Sequence, residues 1–145
     1  NAMVKNMSKF LDADIILWAH PTNPLTNHLH YNDALKKFRF YEKKGKDSLY
    51  AVSQLNDYFW DHKKKPINHN PQEKVHTLLK KHQIKYIYID NGAIYIRRKN
   101  DWIKDGRFWG KKGFMYVMNE VDGWDINTLW DLEACKLKSF KNKIF

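Results

Sequence analysis

The chain has a single cysteine, six glycines and four prolines in 145 residues, and no long apolar run. With Cys135 alone, no internal disulfide can form and no cysteine-based metal site can be built within one chain. A reducing cytoplasm is the matching compartment. No apolar run exceeds Ile15–Ala19. That is far below the ~20 residues that span a bilayer, and below the roughly 7 to 15 of a signal-peptide core. No membrane association is expected from such a sequence. Also missing are a phosphate-binding glycine loop, a nucleophile elbow and a pair of carboxylates that can be placed on one face. No catalytic motif, cofactor site or metal site is therefore expected. Positive charge is absent from one stretch too: Gly113 through Cys135 contains no Lys or Arg but five acids, Glu120, Asp122, Asp125, Asp131 and Glu133.

What is present is aromatic and basic. Hydrophobic residues make up 43% and aromatics 15%, which argues for a packed core even though 29% of residues are charged. The size suits one domain over 1–145, with Asn1-Ala2 ahead of Met3 read as a remnant of a cleaved expression tag. Net charge is +10, and outside the acidic stretch 26 basic residues face 11 acids. A positive field of that size attracts nucleic acid or an acidic protein partner without choosing between them.

The stretch from Lys85 to Arg98, KYIYIDNGAIYIRR, carries the strongest local signal. Asn91-Gly92 has the composition of a two-residue type I′ turn, so the segment reads as a β-hairpin. In that register Ile87, Ile89, Ile94 and Ile96 share a core face, while Tyr86, Tyr88, Tyr95 and Arg97 share the other. The expected fold is α+β: N-terminal helices packed on a small antiparallel sheet built around the 85–98 hairpin, with a C-terminal helix.

Other segments are assigned by spacing. Ser8 to His20 puts Leu11, Ile15, Trp18 and Ala19 at helical intervals, although Ile15–Ala19 also fits a buried strand. Pro21 and Pro24 end it. A helix capped by Asn32 and ending at Gly45 would bury Ala34, Leu35, Phe38 and Tyr41 behind a lysine-rich outer face. Leu49, Val52, Leu55 and Phe59 form a helical stripe after Asp47 or Ser48. Asn70-Pro71-Gln72-Glu73 reads as a capped start for a helix over 71–83, with His82 on its buried face. Lys99 to Gly113 reads as a loop with a helical turn near Trp102. Phe114 to Met118 reads as a strand closing an antiparallel sheet with the hairpin, and Asp125 as the cap of a final helix bearing Trp130.

Two surfaces are candidates for function. Tyrosines on an open sheet can stack on unpaired bases while cations hold phosphates. Lys80, Lys81, Tyr86, Tyr88, Tyr95, Arg97, Arg98, Lys99, Arg107, Lys111 and Lys112 are therefore the expected nucleic-acid-binding set. A helix followed by a hairpin is also similar, in element order alone, to a winged helix-turn-helix. The acidic stretch, with Trp102, Trp109, Trp124 and Trp130 around it, fits a protein-binding inhibitor or toxin-immunity protein instead. A metal-independent ribonuclease toxin is a further alternative, since His, Lys, Arg and Tyr can divide proton transfer and charge stabilisation among them. His28, His30 and Asp33 could approach a metal but match no ordinary zinc spacing.

Overall fold

Residues 2–72 and 85–141 are described by the computed structural model. The expected helix over 71–83, His82, Lys80 and Lys81 lie largely or wholly outside them. Ile87–Arg98 is one twelve-residue strand, β3, rather than a hairpin. It runs between two antiparallel neighbours, β1 (Ile15–Trp18) and β2 (Ser48–Leu55), and β4 (Gly113–Met118) lies parallel to β2. The sheet order is β1-β3-β2-β4, which is mixed rather than purely antiparallel.

Asn91-Gly92 forms a bulge instead of a turn. Tyr50 faces Tyr95 and Val52 faces Asp90, so residues 91–94 of β3 oppose Ala51 alone. Gly92 takes φ +74°, the left-handed conformation that the pair was expected to supply to a hairpin. Both edges of the strand are taken near this point, by β1 and β2, so β3 has no need to pair with itself. The isoleucines separate accordingly. Ile94 and Ile96 are fully buried, whereas Ile89 is 50% exposed.

Helices cover both faces. On one, α2 (His28–Glu42) sets Ala34 and Phe38 against Leu49, Ala51, Ala93, Ile94, Ile96, Tyr116 and Met118. On the other, Val4 of α1 (Ala2–Phe10) and Trp102 of α3 (Lys99–Asp105) pack with Ile16 and Tyr95. Double coverage explains why Ser48–Leu55 is a strand although its spacing predicts a helix. A strand buried on both sides loses its polar alternation, and its apolar residues then match a helical stripe by chance. The α+β class holds, with four helices and four strands among the described residues.

Helix starts also move. Asn27, not Asn32, caps α2: its side chain accepts from the Leu29 N–H at 2.9 Å, while His30 Nδ1 accepts from the Asn27 N–H at 3.1 Å. His28 and His30 therefore sit on the first turn rather than in a loop. The last helix, α4 (Leu129–Lys141), is capped by Thr128 with Asp131 in a reciprocal box, so Asp125 is not its cap. Trp130 faces outward at 85% exposure. Residues 8–20 divide between the end of α1 and β1, which resolves their ambiguous spacing.

Two alanine substitutions test this arrangement. Ile94→Ala should destabilise by roughly 2 to 5 kcal/mol as a cavity in a closed core, and Ile89→Ala by less than about 1 kcal/mol. Urea denaturation of both variants reads the difference; equal losses would mean a shared core face.

Candidate functional site

The bulge is held by side chains from three distant segments. Asn23 ends the turn His20-Pro21-Thr22-Asn23, closed by a backbone bond from Asn23 N–H to the His20 carbonyl. Its amide is only 3% exposed and donates to the carbonyl of Asn91 at 2.8 Å, with longer approaches to the carbonyls of Trp124 at 3.3 Å and Gly123 at 3.4 Å. Asn91 in turn donates to Ser53 Oγ at 3.1 Å and accepts from the Ala93 N–H. A Cβ on Gly123 would overlap the Asn91 amide, so glycine there lets the 119–126 segment close over the bulge. That segment is further tied by Thr26 Oγ1 to the Asp122 carbonyl and by the Ile126 N–H to the Thr22 carbonyl.

Asp90 precedes the bulge and collects three donors. Tyr95 Oη donates at 2.8 Å, Trp109 Nε1 at 2.7 Å and the Gly92 N–H at 3.0 Å. Burial, and then the Asp90 carboxylate, push the Tyr95 phenol well above its ordinary pKa, so it remains a neutral donor. The loop after α3 brings the rings. Phe108 lies 4.6 Å from Tyr95, 5.7 Å from Trp18 and 5.8 Å from His20, centroid to centroid, and Trp109 beside it is half exposed. This loop is anchored at both ends. Arg97 donates to Asp105 and to the Arg107 carbonyl, and Asp47 accepts the N–H groups of Lys111 and Lys112.

Two polar atoms near the bulge are buried and have no partner among the described residues, Asn23 Oδ1 and Asp125 Oδ1, while the Trp124 ring lies under Lys138 of α4. Leaving such a group unpaired costs about 1 to 3 kcal/mol. The amide orientation of Asn23 follows from its network, because a flipped oxygen would meet three carbonyls.

The residues expected to bind nucleic acid are dispersed. Tyr95 and Arg97 are buried at 5% and 3% exposure. Arg98 forms a bidentate pair with Glu42, and Lys99 Nζ donates to the Leu11 carbonyl. Tyr86 and Tyr88 are exposed. Tyr88 pairs with Gln54 near the end of β2, whereas Lys111 and Lys112 contact Asp47 just before its start. Seven residues of strand separate these points by about 23 Å. Of the four tryptophans around the acidic stretch, Trp102 is fully buried and Trp130 projects into solvent. His30 donates from Nε2 to Asp122, and Asp33 is engaged by Lys37 and Tyr116. His20, Asn23, Asp90 and Asp125 were not singled out as site residues in the sequence. Asn23 between two prolines and Asp90 beside Asn-Gly were the signals available.

No family model matches the chain. It is similar to the N-acylneuraminate cytidylyltransferase of Escherichia coli O18:K1:H7 (strain RS218 / NMEC), at 23% identity over 150 aligned positions. The alignment takes in 94% of this chain and 33% of that enzyme, so the chain spans a third of the relative's length.

The anchor of the aromatic loop carries a pH dependence. The Arg97 guanidinium holds the Asp105 carboxyl below the usual carboxylate range, against an opposing push from partial burial. A depressed folded pKa contributes stability above the unfolded value, about 3.9, that is lost as pH falls through the folded one. Asp105→Ala should therefore destabilise by roughly 1.5 to 3 kcal/mol at neutral pH. The gap to the parent protein should narrow as the pH drops below about 4, read by denaturant melts across that range.

Proposed function

We propose that the chain is the sugar-acid-binding portion of a cytidylyltransferase-type enzyme, with the cluster around the β3 bulge receiving an acylated sugar acid. The observation that carries this reading is the half-exposed Trp109 ring, held by Asp90 at the edge of the Tyr95 and Phe108 rings. Asp125, part exposed at the rim of the cluster, accepts from a sugar hydroxyl. Phe108 and Trp109 offer ring faces to the C–H edge of the sugar and to its acyl group. Such a ligand supplies several hydroxyls on an apolar frame, which is what mixed lining of this kind discriminates.

The similarity to N-acylneuraminate cytidylyltransferase supports the same reading because it runs along nearly the whole chain rather than through one motif. The cluster draws its residues from 20–26, 90–95, 108–109 and 122–125, all within that aligned length. The positive charge outside 113–135 suits reactants that carry carboxylate and phosphate.

Isothermal titration with N-acetylneuraminic acid tests the proposal. Saturable one-site binding is expected. Trp109→Ala, at a half-exposed ring, and Asp125→Ala should each weaken it about tenfold, or roughly 1.4 kcal/mol. Lack of binding by the folded protein, or affinity indifferent to both substitutions, would sink the reading.

A further inference from the structure

The segment from Asp57 to Asn70 follows β2, closes on itself, and takes no part in the cluster around the β3 bulge. An antiparallel bridge joins Trp60 to Pro66, with the Asp61 N–H on the Lys65 carbonyl at 2.8 Å and the Ile67 N–H on the Phe59 carbonyl at 2.9 Å. Asn68, only 4% exposed, fixes the base: it accepts from the Phe59 N–H and donates to the Asp57 carbonyl. The tip is His62-Lys63-Lys64, a connection whose last position takes positive φ and is ordinarily glycine. Here it is Lys64, at φ +59°. The Asp61 carboxylate holds this backbone by accepting the N–H groups of Lys63 and Lys65. A cation is thus kept where the backbone favours no side chain, with a lysine on either side. Among the described residues none of the three ammonium groups meets a carboxylate. Behind them Trp60 is 52% exposed, its ring 4.8 Å from that of His69, which stands equally close to Tyr58.

We infer that this loop binds single-stranded nucleic acid, with a base stacked on Trp60 and the neighbouring phosphates on Lys63, Lys64 and Lys65. The partner class is one the sequence suggested, but the surface is another, since none of the residues expected to bind nucleic acid lies in this segment. A half-exposed indole beside ammonium groups without counter-charges suits unpaired bases: stacking is indifferent to base identity, and cations follow the backbone. Asp57 to Asn70 contains no arginine. Lysines serve phosphate as point charges, without the planar fork that matches a carboxylate, which disfavours an acidic protein. A bilayer surface would call for apolar side chains at the tip, where this loop has one histidine and two lysines. A duplex keeps its bases stacked on one another and out of reach of Trp60.

Fluorescence anisotropy of a short labelled oligouridylate, titrated with the full chain at several salt concentrations, tests the inference. Log affinity should fall linearly with log salt, by roughly 0.7 per phosphate neutralised. Lys64→Gly removes one cation and relieves the left-handed backbone, so thermal stability should hold or rise while the slope falls by about 0.7. Trp60→Ala, at an exposed ring, should weaken binding about tenfold with the slope unchanged, and Trp60→Phe should keep most of the affinity. A duplex of the same length and vesicles of phosphatidylserine should each bind at least about tenfold more weakly than the single strand. No binding at low salt, affinity unmoved by Trp60→Ala, a salt slope unmoved by Lys64→Gly, or equal affinity for the duplex or the vesicles would each overturn it.

Discussion

A buried backbone polar group must find a partner, and the irregular middle of β3 is where that requirement presses hardest. The bulge interrupts the regular ladder in the centre of the sheet, where water cannot serve the freed amides and carbonyls. Side chains take over. Asn23 reaches the carbonyl of Asn91, Asn91 reaches Ser53, and Asp90 receives the Gly92 N–H. The His20–Thr26 turn, the close approach of Gly123 and the anchoring of Trp109 all follow from this substitution of side-chain bonds for ladder bonds.

The acidic stretch is spent largely on local geometry. Asp122 receives His30 Nε2 and the Asn119 amide, Asp131 closes the cap of α4, and Glu133 pairs with Lys136. Asp125 differs in keeping one buried oxygen unpaired. Charge counting along the chain cannot separate a capping carboxylate from a free one, because the distinction lies in which backbone N–H groups stand opposite.

Legibility in the sequence followed the range of the signal. The buried face of α2, with Ala34 and Phe38, was readable because helical spacing acts within a few residues. The same holds for the turn of helix at Trp102 and the strand Gly113–Met118. Segments whose state depends on neighbours were not. Asn91-Gly92 has the same local preference for positive φ in a hairpin and in a bulge, and only the presence of β1 and β2 on either side decides between them. The candidate site was less legible still, since Asn23 and Asn91 stand 68 positions apart and meet only through the sheet order.

The parallel pairing of β2 with β4 has a consequence for how the chain reaches this structure. Ser48 lies beside Gly113, so that ladder cannot close until some 65 intervening residues, including β3, have found their places. Loop-closure entropy is lost before the contact returns anything, and topologies dominated by such distant pairs fold slowly. The α2 helix can form early from contacts within a few residues. The edge formed by β4 belongs to the end of the folding reaction, and an intermediate lacking it would leave the largely buried strand β2 open along one side.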